Sequence, residues 1–253
     1  MKLSGLIELE NVSYHHENDL GESKIILDDI SLRIEANTIV SVIAPKDAGL
    51  SSLMKICANL MEPSSGNYKN HINKEIIFLP TEPSTFPWLN VLDNMNVMFK
   101  ENNEYLTREV LNQVGLDGYE DQFPLESSYS FRVRLALARS IITNPKLIVV
   151  DESFKYLVDE DRFDIYEKLK ALQKIHNCSF LIGTRNLSEA LLLSNRIILL
   201  AKDPCSIIDD FEVNFTQDSC VELVNNEDFL QKRNRIIDSY RYYKNHQMYR
   251  FTI

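Results

Sequence analysis

One stretch of the sequence constrains the fold more than any other. The apolar run Ile39-Val40-Ser41-Val42-Ile43 reads as a buried strand and leads directly into Ala44-Pro45-Lys46-Asp47-Ala48-Gly49-Leu50-Ser51-Ser52. Residues 51–60 then have helical spacing (Leu53, Ile56, Cys57, Leu60) and end in Glu62-Pro63-Ser64-Ser65-Gly66, a stop signal. The loop fits the phosphate-binding frame G-x-x-x-x-G-K-S/T at every spacing. Ala44 stands at the first glycine, Gly49 at the second, Leu50 at the lysine and Ser51 at the metal-binding hydroxyl. In that frame backbone N–H groups cradle phosphates, the lysine reaches the outer phosphates and the hydroxyl holds Mg²⁺. Here the frame is kept and its main charge is missing.

The remainder of the chain bounds what such a loop can serve. A length of 253 residues suits one large α/β domain or two small ones, and 44% hydrophobic with 25% charged residues is ordinary for a globular protein. The net charge of −10 disfavours nucleic acid as a partner, because non-specific binding to it depends on cationic patches. There is no apolar run of about 18 residues, so no membrane-spanning helix is expected. The start, MKLSGLIELE, carries acidic residues and lacks an apolar core, so it does not read as a secretory signal. Cys57, Cys178, Cys205 and Cys220 are scattered without C-x-x-C spacing and read as reduced packing residues, with no metal site among them. Only 7 glycines occur, well under the usual share of about 7%, and a phosphate loop needs glycine wherever backbone approaches phosphate.

Further along, residues 6–14, 25–34, 75–79, 147–150, 179–184 and 196–200 read as strands. Residues 131–142, 160–174 and 186–194 read as helices, and 88–115 as mostly helical. The final fifty residues look irregular and polar. Strands alternating with helices predict a mostly parallel sheet flanked by helices. The strand Leu147-Ile148-Val149-Val150 ends in Asp151-Glu152. An acidic pair at a strand end about a hundred residues after a phosphate loop suits a Mg²⁺-holding Asp and a water-polarising Glu. Taken alone, such a pair is common at strand ends.

Longer matches carry a family resemblance. Glu82-Pro83-Ser84-Thr85-Phe86-Pro87-Trp88-Leu89-Asn90-Val91-Leu92-Asp93-Asn94 resembles E-P-x-L-L-P-W-x-T-V-L-D-N. Arg134 and Leu137-Ala138-Arg139-Ser140 resemble the helix after a signature motif. Asp151-Glu152-Ser153-Phe154 resembles D-E-P-F, and Leu187-Ser188-Glu189-Ala190-Leu191-Leu192-Leu193 resembles D-E-A-L-L-L. Over almost its full length the chain resembles the nucleotide-binding subunit of an ABC transporter, of the type serving importers of nitrate, aliphatic sulfonates and taurine. That resemblance implies an α/β fold of the P-loop NTPase type: a mostly parallel sheet, an N-terminal antiparallel β part and a helical subdomain. It implies one domain over 1–253, with residues 1–80 and 145–215 as nucleotide-binding core, 81–144 as helical and signature part, and 216–253 as C-terminal extension.

The resemblance also assigns roles. ATP and Mg²⁺ are the implied ligands. Glu152 is the implied catalytic carboxylate, and Ser51 with Asp151 the implied metal ligands. Ala44, Lys46, Asp47, Ala48, Gly49, Leu50, Ser51 and Ser52 form the phosphate loop. His16, with Tyr14 nearby, falls where the family stacks adenine on an aromatic ring. Thr81 falls on the glutamine that senses the γ-phosphate, and Ser127-Ser128-Tyr129-Ser130 on the signature L-S-G-G, of which Ser128 matches. Arg185 falls on the switch histidine, Asn186 on the Asp after it, Ser153 on the proline after the catalytic Glu, and Val158 on a loop aspartate. Leu50 is the most costly departure, since a charge-assisted phosphate contact is worth about 1.5–3 kcal/mol. Asp47 adds an unfavourable charge beside a triphosphate. Tyr129 hinders close backbone approach at the signature loop.

The implied partners are a membrane permease docked through residues 82–94, with Phe86 and Trp88 as aromatic anchors, and a second ATPase subunit, a heterodimer being favoured. A solute-binding protein enters only indirectly, and the implied location is the inner face of the cell membrane, as a peripheral subunit. Two other readings stay open: a pseudo-ATPase scaffold that binds no ATP, and an active enzyme that uses Lys46 for the missing lysine. The basic, aromatic tail from Tyr240 to Phe251 reads as a partly packed terminus or as a contact for a partner or headgroup surface.

Overall fold

A computed structural model describes residues 5–17, 21–98, 103–215 and 219–250, the last five of these by backbone only. Two sheets organise the chain. Three antiparallel strands, in the order β2 (Ser23–Glu35), β1 (Gly5–Glu17) and β4 (Ser65–Asn70), form the first. The second has six strands in the order β5 (Ile76–Leu79), β6 (Leu147–Asp151), β7 (Ser179–Thr184), β3 (Ile39–Ile43), β8 (Arg196–Leu200) and β9 (Ile207–Glu212). All neighbours in it are parallel except the β8–β9 edge.

Why the central strands are continuously apolar follows from what covers them. Side chains alternate across a sheet, so a strand covered on both faces has no polar side. Ile148 and Val150 of β6, Phe180 and Ile182 of β7, and Ile197 and Leu199 of β8 join the core on the side of the later helices. Their neighbours Leu147, Val149, Leu181 and Ile198 join a second core, under the antiparallel sheet and α1 (Leu50–Cys57). The first core takes in α2 (Val91–Asn96), α3 (Glu104–Val114), α4 (Tyr129–Ile141), α5 (Asp159–His176) and α6 (Leu187–Leu193).

Two regions differ from the sequence reading. The stop signal after α1 also begins β4, which pairs with β1 through register partners such as Leu9 and Tyr68. Its polar sequence SGNYKN hides a strand that is half-exposed at a sheet edge. The final fifty residues are not irregular: after β9 come α7 (Cys220–Val224) and the 24-residue α8 (Glu227–Arg250). Phe229 and Ile236 of α8 are buried, and Ser239 Oγ donates to Asp209 at 2.8 Å. So narrow an apolar stripe on a charged helix carries little periodic signal. The side chains of residues 246–250 and all of 251–253, the end of the basic aromatic tail, lie outside the described residues. Among the described residues no helix is long and apolar enough to cross a membrane.

Register puts one edge of the large sheet in charge of the chemistry. Asp151 lies opposite Gly183, and Ile43 opposite Thr184. The segments leaving β3, β6 and β7 therefore emerge side by side at the carboxyl edge, where ligands of such sheets bind.

One close backbone approach holds the small sheet together. Gly66 has φ 89° and sits in the irregular register where Asn11 has φ 51°. A Cβ at Gly66 would lie 2.3 Å from the Asn11 carbonyl oxygen. Gly66→Ala is therefore expected to cost about 2 kcal/mol or more, seen as a lower midpoint in urea unfolding. An unchanged midpoint would show that the bulge relaxes freely.

Candidate functional site

The loop between β3 and α1 turns on two left-handed residues, Asp47 at φ 61° and Gly49 at φ 90°. The Ala48 N–H bonds back to the Pro45 carbonyl at 3.3 Å, and Gly49 caps α1 without any side-chain hydrogen bond. The opening N–H groups of α1 are therefore directed at whatever lies in front of the loop.

The lysine position explains itself structurally. Leu50 is 4% exposed and belongs to the core beneath the loop. Its Cδ1 would lie 3.3 Å from a Cβ at Gly183. The residue thus packs as a core leucine against β7, and Arg185 is the one Lys or Arg among the residues lining the cavity in front of the loop. Lys46 and Asp47 are exposed at the tip of the loop, and Ala44 is buried at its root.

Behind the loop the acidic pair is held on both sides. Ser51 Oγ donates to Asp151 Oδ1 at 3.1 Å. Burial holds the Asp151 carboxyl above the usual range, with the Ser51 bond acting the other way. Thr81 Oγ1 donates to the Asp151 carbonyl at 3.0 Å. Glu152 adopts φ 51°, rare for a residue with a side chain, while its N–H donates to the Gly183 carbonyl at 3.0 Å. Its carboxylate is engaged: Arg185 Nη2 donates to Oε2 at 2.9 Å, with the Glu152 side chain 9% and the Arg185 side chain 43% exposed. Asn186 has a structural task, capping α6 by accepting from the N–H groups of Ser188 and Glu189.

A cavity of about 470 Å³ opens in front of the loop. Of the predicted residues, His16, Asp47, Ala48, Gly49, Leu50, Ser51, Ser52 and Arg185 line it, together with Tyr14. Ala44 and Lys46 are not among its lining residues; Thr81, Asp151 and Glu152 sit behind it, tied in through Ser51 and Arg185. Ser128 is elsewhere, capping α4 by accepting from the Phe131 N–H at 3.2 Å beside a different recess. Sequence reasoning missed Ile26 and Met61, which also line the cavity. Ile26 comes from β2, and no local pattern ties that strand to the loop.

It also missed the task of Tyr129. The phenol turns inward, its hydroxyl 2.8 Å from the Thr81 carbonyl and 2.9 Å from that of Ser153. The ring meets Tyr156 edge-on at 5.5 Å and lies under the Arg132 guanidinium. Ser153 Oγ in turn lies within hydrogen-bond reach of the carbonyls of Leu79 and Pro80, at 3.1 and 2.7 Å. The head of α4 is thus latched to the segments leaving β5 and β6.

A second surface lies on residues 82–94. Trp88 is 70% exposed, with Phe86 5.6 Å away. The Arg139 guanidinium covers the other ring at 4.5 Å from the Phe86 centroid and bonds the Ser84 carbonyl. The buried Asn94 side chain fixes the turn by bonding the backbone of Phe86, Leu89 and Asn90. An indole left exposed on so firmly built a turn is a candidate anchor for a partner.

Comparisons with known proteins agree with this architecture. A family model described as ABC transporter matches residues 27–155. The aliphatic sulfonates import ATP-binding protein SsuB 1 of Pseudomonas savastanoi pv. phaseolicola is 31% identical over 191 residues, covering 74% of this chain and 79% of that protein. The taurine import ATP-binding protein TauB of Yersinia pestis bv. Antiqua is 26% identical over 235 residues, 85% of this chain and 91% of its own. Among solved structures, the ATP-binding cassette MJ0796, a dimer in a post-hydrolysis state bound to ADP and Pi, superposes with a TM-score of 0.72 at 20% identity, covering 83% of this chain and 99% of that one. The likeness to that structure concerns the fold.

The latch yields a prediction. Tyr129→Phe keeps the ring contacts and removes the one O–H that the Thr81 and Ser153 carbonyls share, so it is expected to cost about 1 kcal/mol. Chemical denaturation measures the loss, and amide exchange should quicken near residues 81–85 and 153–157. Unchanged exchange at both segments would show that the hydroxyl holds nothing in place.

Proposed function

The chain belongs to the ABC transporter family, and on that premise we propose that it serves as the ATP-binding-type subunit of an importer for small anionic solutes, with impaired hydrolysis. The observation that carries the second half is Leu50, turned into the core where the family frame has its phosphate-binding lysine. Losing a contact of about 1.5–3 kcal/mol corresponds to roughly 10–100-fold in binding or rate. Sulfonate and taurine importers among the relatives support the solute class.

In this reading the cavity is the nucleotide site. Tyr14 and His16 flank the base, the loop and Ser52 face the phosphates, and Thr81 sits behind the acidic pair. Ser51 and Asp151 are a hydroxyl and a carboxylate held 3.1 Å apart, hard oxygen donors that suit Mg²⁺. When bound, that ion would neutralise phosphate charge; it would take its other ligands from phosphate and water. Glu152 is the candidate water-polarising group, and its ion pair with Arg185 withdraws one carboxylate oxygen from that role. Ser128 would face the nucleotide of a second ATPase subunit, a different chain by preference, since two copies would share every departure.

In this reading coupling runs through residues 82–94, with Trp88 and Phe86 as anchors for a membrane permease and the subunit peripheral at the inner face of the membrane; the exposed Trp88 beside Phe86 supports it. The Arg185–Glu152 pair favours a second reading, a regulatory or scaffold subunit that binds no ATP.

Two measurements test the proposal. Purified chain is expected to hydrolyse ATP at least about 100-fold below the typical enzymatic rate of roughly 10 per second, with Glu152→Gln changing little. Turnover at that typical rate, abolished by Glu152→Gln, would sink the idea of impairment. Trp88→Ala is expected to reduce co-purification with membrane subunits; full retention would remove the docking role.

A further inference from the structure

Two kinds of residue line the cavity. Tyr14, His16, Ile26 and Met61 are aromatic or apolar, and Ile26 lies against Gly49 of the loop. The others belong to or face the loop, where a polyphosphate would need cations. Among the lining residues the sole Lys or Arg is Arg185, and its charge is matched by Glu152 at 2.9 Å. The remaining ionised side chain there is Asp47, exposed and on the lining itself. Leu50 contributes no charge, and Lys46, exposed beside Asp47, is not on the lining. The lining around the loop thus has hydroxyls and backbone N–H groups to offer one anionic group, and a net negative side-chain charge against a chain of several.

We propose that this pocket takes a nucleoside or its monophosphate in preference to a triphosphate, with Asp47 and the Arg185–Glu152 pair as the groups that set this choice. The inference rests on reading the cavity as the nucleotide site and adds the ligand class. Stacking and apolar contact with Tyr14, His16, Ile26 and Met61 supply the binding of the base. Each added phosphate gains little from a lining whose one cation is already paired, and meets Asp47 more closely. Glu152 acts here as the residue that neutralises Arg185: with Glu152 uncharged, Arg185 becomes a free donor fork for phosphate.

Titrating the full chain with adenosine, AMP, ADP and ATP, each with Mg²⁺, tests it by calorimetry. The expected result is an affinity that falls from adenosine or AMP to ATP. Asp47→Gly and Glu152→Gln should each shift the ATP-to-adenosine affinity ratio toward ATP, by about tenfold for the removal of one nearby charge. Asp47 is at an exposed turn with positive φ, where glycine is well accommodated, so this variant should fold. ATP binding as tight as adenosine or tighter in the unaltered chain, or a ratio that neither variant moves, overturns the inference. Binding of none of the four also overturns it. In each of these cases co-purification with membrane subunits still decides the importer reading separately.

Discussion

The site depends on one backbone alignment: β6 beside β7 beside β3, with Asp151 opposite Gly183 and Ile43 opposite Thr184. Gly183 has no side chain, so Leu50 and Met54 of α1 come within 3.0–3.3 Å of where a Cβ would stand. The same residue's carbonyl takes the Glu152 N–H at 3.0 Å and holds that residue in its left-handed turn. Helix, loop, acidic pair and Arg185 are therefore positioned from a single point on the sheet. A parallel sheet buried on both faces can hold such a point rigidly, because its strands are packed to interior density on either side.

Several residues that depart from the phosphate-loop frame and the family resemblance have structural partners within the chain. Leu50 fills core volume. Arg185 pairs with Glu152 and Asn186 caps α6. Tyr129 spans the gap between α4 and the segments after β5 and β6. Ser153 closes the same junction from the other side. Leu50, Arg185, Asn186, Tyr129 and Ser153 are thus each engaged within the chain.

Much of this architecture was legible in the sequence, and the exceptions have physical causes. β3, β7 and β8 were readable to the residue, since doubly covered strands are continuous apolar runs with sharp ends. β4 was not, because an exposed edge strand needs few apolar side chains. α8 was hidden by its charge, with Phe229 and Ile236 too sparse to mark a face. The loop, Ser51, Asp151, Glu152 and Arg185 could be proposed as one site from spacing and resemblance. That Arg185 reaches Glu152, that Leu50 points inward and that Tyr129 latches α4 were not available, since each depends on side-chain direction across elements far apart in the chain.

The central claim is that the phosphate loop keeps its frame without its grip on a triphosphate. Calorimetric titration of the full chain with ATP, with and without Mg²⁺, tests it most directly. From a micromolar site, a loss of about 3 kcal/mol gives dissociation near 0.1 mM; the account predicts binding that weak or weaker, with little gain from Mg²⁺. Micromolar binding that requires Mg²⁺ would contradict it.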